Sequence, residues 1–469
     1  MAESAPPDAE GPRVGFAYKT PYIPHLFGED VGNKLALRSG WLTVGIAASI
    51  PWPKEDVWIL YDGSEYVLRG AKEDGQRSRT PCINTPCPSS QGTDEALSRL
   101  YRFVSILGYF KRGYVDIAGV IWSTRATFYA GVGPLVGMVL DGARHFNCNY
   151  LPIVEDEQIR KALAFLREGR RLRNVHAAYS FLSFFKVIES QFGSNDRVEW
   201  IDRNLDRLEG QAARRVTELR GQGINVNQHL YDSGRCAVAH ASLLGTIVDP
   251  DNPADRKRIS ADLDVIEELA TRFVRVDAQV PDEMDLYRSR DRLEPWYSLM
   301  TPKAVAALKA AEGVQDVADL GKLQDSKVAV SLWPDPPPAQ FKEMTLLPVE
   351  SRGGKLKLIA LNERQTILLS FLMDVPAGHM HSVLKESGMR DGEGITEEDV
   401  EDFTRYFHSV IANGHIELRI DGVEPVACEV VIPVNIIPQA PEKAVGEALK
   451  RFRQAKAQMS ESSAPGPTE

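Results

Sequence analysis

The clearest periodicity lies in the middle of the chain. Ile159, Ala162, Leu163 and Leu166 form one apolar stripe at helical spacing, and Ala178, Phe181, Leu182, Phe185, Ile188 and Phe192 form a second. Val198, Ile201, Leu205, Leu208, Ala212, Val216 and Leu219 continue as a third. Gly221 and Gly223 then act as stop signals, and Asn225 or Asn227 can cap a fourth helix from about Gln228 to Thr246. Pro250 and Pro253 break the chain before a fifth stripe of Ile259, Leu263, Ile266, Ala270 and Phe273. Short loops make successive helices antiparallel, so residues 156–280 are expected to form an antiparallel helical bundle.

The flanks read differently. From Val14 to Thr80, WLTVGIAASI and DVWILYDGSEYVLRG are strand-like with Asp-Gly punctuation, and Leu97, Leu100, Phe103, Val104 and Leu107 then recur at helical spacing. VDIAGVIW and ATFYAGVGPLVGMVL return to strand-like or buried text, which makes residues 13–150 an N-terminal α+β domain. Residues 281–325 read as a helical connector. Beyond it, VAVSLWP, KEMTLLPVE, KLKLIAL, TILLSFLMDV, HIELRID and ACEVVIPVNIIP are strand signals, and Thr396 and Asp399 resemble a capping box before Val400, Phe403 and Phe407. Residues 326–440 are therefore expected to be a β-rich α+β domain, closed by an amphipathic helix over 441–459. The ends, 1–12 and 460–469, are too poor in apolar residues to order themselves. The expected fold class is α+β multidomain, a central helical bundle flanked by β-rich α+β domains.

Composition narrows the function. A chain of 469 residues is long enough for two or three domains of ~100–200 residues each. With 65 acidic against 55 basic side chains and a net charge of -10, nucleic-acid contact has to be local. No apolar run approaches the ~18 residues of a membrane span and the start lacks a leader pattern, so the expectation is a cytoplasmic protein with no membrane partner. Five cysteines, Cys82, Cys87, Cys148, Cys236 and Cys428, fit a reducing compartment; Cys82 and Cys87 lack a second Cys/His pair for a zinc site. His379 and His381 share a strand face without a supporting third ligand. AGVGPLVG, residues 130–137, lacks the order of a nucleotide loop. No metal and no cofactor is expected.

One constellation carries chemistry. In LYDSGRCAVAHAS, Arg235 and His240 are separated by four small or apolar residues. The stretch resembles the Arg-x4-6-His motif of HEPN domains, over about residues 156–280. Cys236 stands where that family commonly has a polar residue. That resemblance implies a helical bundle with the motif on a late helix, a homodimer formed around it, and RNA cleavage without metal. The whole-chain pattern also resembles MauJ-type methylamine-utilisation proteins, which implies instead a non-catalytic, dimerising accessory protein. The nuclease chemistry has its own rationale: cleavage through the 2′-hydroxyl needs a group that moves protons near neutral pH and a cation that holds the phosphate. Histidine suits the first role and the permanently charged fork of arginine the second.

On an ideal helix Arg235 and His240 lie about 140° apart, so a long arginine stem or a second subunit would have to complete the site. Tyr231 and Asp232, one turn earlier, could line the same groove, and Glu189 could orient either catalytic group. The basic run of Arg160, Lys161, Arg167, Arg170, Arg171 and Arg173 reads as a solvated helix end or as an RNA track. The expected partners are a second copy of the chain, RNA, and a protein met through the flanking β domains.

Overall fold

In a computed structural model the chain falls into two compact units, Met1–Ser289 and Arg290–Glu469. Described are residues 16–129 (without 71, 75, 76, 89 and 91), 146–239, 248–249, 251–324, 326–390, 394–413, 415–430 and 439–462. The stretch AGVGPLVG, His240 and most of the C-terminal half of the expected fourth helix lie outside them. The architecture is mixed α and β.

The first unit opens with β1 (His25–Phe27), α1 (Gly28–Ala36), β2 (Trp41–Ala48), β3 (Val57–Tyr61) and β4 (Ser64–Arg69). A small ribbon, β5 (Lys72–Asp74) with β6 (Arg77–Arg79), precedes β7 (Cys82–Pro86), α2 (Thr93–Phe110) and β8 (Val115–Ser123). The main sheet is antiparallel throughout, in the order β1-β3-β4-β7-β2-β8. Strand β2 is buried at all eight positions, which explains why WLTVGIAA reads as an unbroken apolar run rather than an alternating one. Ile83, Leu42 and Val44 on one face join the core that includes Phe103 and Leu107 of α2, while Trp41, Trp58 and Val67 on the other form a smaller cluster with Val31 of α1. Cys82 lies within the buried strand β7.

The helical stretch follows as α3 (Glu157–Leu172), α4 (Ala177–Glu189), α5 (Ser194–Leu205), α6 (Gly210–Gly221) and α7 (Val226–His229). A π-helical stretch over Leu230–Cys236 leads into α8 (Ala237–Ala239), then α9 (Pro253–Arg272), a second π-helical stretch over Phe273–Asp277, and α10 (Glu283–Ser289). Helix α3 starts where Asp156 accepts the backbone N–H groups of Gln158 and Ile159 at 2.7 and 3.1 Å, and α9 starts where Asn252 accepts from Ala254. Apolar faces of α3, α4 and α9 meet, and their residues share one continuous core with the sheet and α2.

Two helical expectations need correction. The third stripe is two helices, because Gly210 adopts φ +57° and turns the chain between α5 and α6; Val198, placed in that stripe, is exposed. The fourth helix is not a regular α-helix. It begins at Val226 and passes through seven π-helical residues. The basic run is not a solvated helix end either. Arg167 lies 3.4 Å from Asp116 of β8, Arg170 is paired with Glu267 of α9 at 3.4 Å, and Arg173 bonds Asp264 and Glu267, so these arginines fasten α3 to its neighbours.

The second unit contains α11 (Glu294–Tyr297) and α12 (Pro302–Lys309), followed by β9 (Lys327–Leu332), β10 (Met344–Arg352), β11 (Lys355–Leu361), β12 (Ile367–Asp374), β13 (His379–Ser382) and β14 (Gly388–Met389). Helix α13 (Glu397–Asn413), β15 (Ile416–Arg419), β16 (Val426–Val430) and α14 (Pro441–Ser462) complete it. Its sheet runs β11-β10-β9-β15-β16-β13-β12, and β12 pairs back onto β11, so seven strands close into a barrel with β14 added on β12. All pairings are antiparallel except β13 with β16. Alternation fills the interior: Leu356, Leu358 and Ala360 of β11 point in, as do Leu369, Phe371 and Met373 of β12. The capping box at α13 forms reciprocally, with Thr396 N donating to Asp399 Oδ2 at 2.9 Å and Asp399 N donating to Thr396 Oγ1 at 3.3 Å.

A part-buried imidazole makes the first unit acid-sensitive. His25 Nδ1 lies 2.7 Å from the Ile23 carbonyl and its Nε2 accepts from Cys148 N at 3.2 Å. Burial, opposed by the Ile23 hydrogen bond and reinforced by Lys111, lowers its pKa to about 4. Protonation is thus favoured in the unfolded chain, and stability falls as the pH drops from about 6.5 to about 4, by at most ~3 kcal/mol. Urea denaturation across that window is expected to show this loss, and a smaller one in His25→Gln.

Candidate functional site

The centre of the first unit is built by close approach of backbones. Phe181, Phe184 and Phe185 of α4 are fully buried, and two of their rings occupy gaps left by glycines. A Cβ at Gly169 of α3 would stand 2.5 Å from the Phe184 ring, and one at Gly234 of the π-helical stretch would stand 2.3 Å from the Phe181 ring. Only glycine admits these contacts. The π-helical stretch widens the turn that carries Tyr231, Asp232 and Arg235, and such insertions are frequent at functional sites. The Ser233 carbonyl within it receives the guanidinium of Arg258 from α9.

This packing brings Arg235 to Glu189, the last residue of α4. Glu189 Oε1 accepts from Arg235 Nε at 3.1 Å and lies 3.0 Å from Nη2. The same oxygen accepts from Arg197 Nη1 of α5 at 3.4 Å. The Tyr231 ring lies beneath both guanidiniums, with its centroid 4.7 Å from Arg197 Cζ and 6.0 Å from Arg235 Cζ. Two cations and an aromatic face thus converge on one carboxylate. Burial disfavours charge on Arg235, but its hydrogen bond to Glu189 and the carboxylate charge outweigh that and raise its pKa. Arg197 is almost fully buried, whereas about a quarter of the Arg235 side chain reaches solvent.

Of the residues singled out in the sequence, Arg235, Glu189 and Tyr231 are therefore brought together. Asp232 is exposed and accepts from Gln228 Nε2 at 2.5 Å. His240 lies outside the described residues. Val238, two positions before it, lines a cavity of about 530 Å³ together with His176, Tyr179, Val248 and Arg256.

Sequence reasoning missed three groups. Arg197 carries a positive charge in the first turn of α5, where the helix dipole opposes it, and that mismatch signals a paired arginine. His229 Nε2 lies 2.8 Å from Oδ2 of the buried Asp262, whose Oδ1 accepts from Arg215 at 2.9 Å, so a second polar centre ties α6, α7 and α9. In the second unit, His379 Nδ1 lies 2.5 Å from Glu429 Oε1 and Arg292 Nη1 is 3.2 Å from the same oxygen, a carboxylate that the sequence spacing did not reveal. Among the described residues no group of three His, Cys, Asp or Glu side chains is arranged to hold a metal ion. No helix among them is long and apolar enough to cross a membrane.

Residues 162–275 match the family described as Methylamine utilization protein MauJ. The match runs from α3 into the second π-helical stretch and spans Glu189, Arg197, Tyr231 and Arg235. It covers about a quarter of the chain and carries the MauJ likeness, not the HEPN one. No curated protein and no solved structure matches.

The glycine gap can be tested directly. Gly234→Ala is expected to lose ~1–3 kcal/mol of unfolding free energy by urea denaturation, because the methyl group overlaps the Phe181 ring. Gly221→Ala, where a Cβ meets open space, is expected to be neutral or slightly stabilising.

Proposed function

We propose that this chain is a MauJ-like accessory protein of methylamine utilisation, in which the helical stretch is a non-catalytic packing and dimerising module. The observation that carries this reading is the family match over residues 162–275. The state of Arg235 agrees with it: its guanidinium is already engaged by Glu189, and Arg197 and Tyr231 complete an ion-pair cluster within the chain. In this role the arginine fixes α4 against the π-helical stretch, and the β-rich parts of the chain meet a protein partner. Deleting the gene is expected to slow growth of the host when methylamine is the sole nitrogen source, with growth on ammonium unchanged. Equal growth on both would remove the reading.

A second reading is a HEPN-like homodimer that binds RNA or cleaves it without metal. It is favoured by the π-helical placement of a charged, partly exposed Arg235 five residues before His240. In it, Arg235 grips the phosphate and His240 moves the proton. The two readings divide on incubation of the full chain with RNA in EDTA. The accessory reading expects wild type and His240→Ala to give the same background, whereas cleavage that His240→Ala abolishes would install the nuclease reading instead.

A further inference from the structure

We propose that the cleft between α2 and α3 of the first unit is a binding site for a small phosphate monoester. Two adjoining cavities form it. An inner one of about 110 Å³ is walled by Tyr61, Tyr66 and Phe103, and an outer one of about 660 Å³ by Leu97, Tyr101 and Ala164. They share Arg102, Ser105 and Arg160, so α2 and α3 each place a guanidinium at the junction. The outer volume is within the ~300–1,000 Å³ of small-molecule sites.

Two of the guanidiniums at this junction are largely uncommitted. Arg102 makes no hydrogen bond or ion pair among the described residues. Arg160 uses only its Nε, which donates to the Val154 carbonyl at 2.7 Å, and leaves its terminal amines without a partner among the described residues. Arg167 stands behind them, donating from Nη1 to Ser105 Oγ at 3.0 Å and to the Tyr101 carbonyl at 3.2 Å. Arg99, paired with Glu95, lines the inner cavity. Arg99 and Arg167 are already paired, with Glu95 and with Asp116, so the charge available to a ligand at the junction is that of Arg102 and Arg160.

Two guanidiniums facing one junction from different helices suit a tetrahedral dianion, which offers oxygens to both forks at once. The Tyr101 ring, 39% exposed, and the side chains of Leu97 and Ala164 provide an apolar wall for the organic part of the ligand. An extended RNA backbone fits less well, because Asp62 and Asp94 stand in the lining and would repel further phosphates.

The test is calorimetric titration of the full chain with inorganic phosphate, glucose 6-phosphate, adenosine 5′-monophosphate and unphosphorylated adenosine, repeated with Arg102→Ala and Arg160→Met. At least one monoester is expected to bind more tightly than inorganic phosphate, adenosine not at all, and each variant to weaken the monoester by about 10-fold or more. Arg102 is exposed, so Arg102→Ala is expected to keep the wild-type melting temperature and to report on binding alone. The assignment is overturned if no monoester binds up to millimolar concentration or if Arg102→Ala leaves its affinity unchanged. It is equally overturned if an RNA dodecamer binds more tightly than every monoester through the same arginine.

Discussion

The helical centre depends on how closely α4 approaches its neighbours. Phe184 and Phe181 can be fully buried only because Gly169 and Gly234 present no side chain to their rings. From that contact the positions of the polar groups follow. Glu189 ends α4 one helical turn beyond Phe185, Arg235 follows Gly234 directly, and the two therefore meet at hydrogen-bonding distance. The aromatic packing and the ion pair are two parts of one arrangement, and the wider turn of the π-helical stretch accommodates both.

In the first unit, arginine often serves as an internal fastener. Arg167, Arg170 and Arg173 bind α3 to β8 and α9, Arg215 reaches the buried Asp262, and Arg272 Nε donates to Asn204 Oδ1 at 2.7 Å. A planar fork with several donors can satisfy carboxylates and carbonyls at a helix junction that a lysine would reach with one point charge. An overall acidic chain can in this way concentrate cationic groups where elements cross.

Much of this was legible in the sequence, and what was missed has identifiable causes. The stripes Ile159–Leu166 and Ile259–Phe273 are core-facing as their spacing predicts, KLKLIAL alternates because one face looks into the barrel, and Thr396 with Asp399 caps α13. The break at Gly210 was hidden because apolar spacing continues across it, and only the backbone reveals the positive φ. The π-helical stretch was hidden because its residues read as an ordinary helix. Barrel closure depends on β12 meeting both β11 and β13, and on the parallel pairing of β13 with β16 across α13 and β15, a long-range match that local alternation cannot specify. At the candidate site, one turn of sequence suggested Tyr231 beside Arg235, whereas Arg197 came from another helix and needed the tertiary structure to place it.

Ring closure in the second unit limits how that unit can recognise another molecule. Each strand of the ring already has a neighbour on either side, so an incoming peptide finds little free backbone to lengthen the sheet in register. Recognition there has to be written in side chains on the outer wall or in the helices α13 and α14. Such a surface can diverge residue by residue while the hydrogen-bonded ring beneath it stays the same.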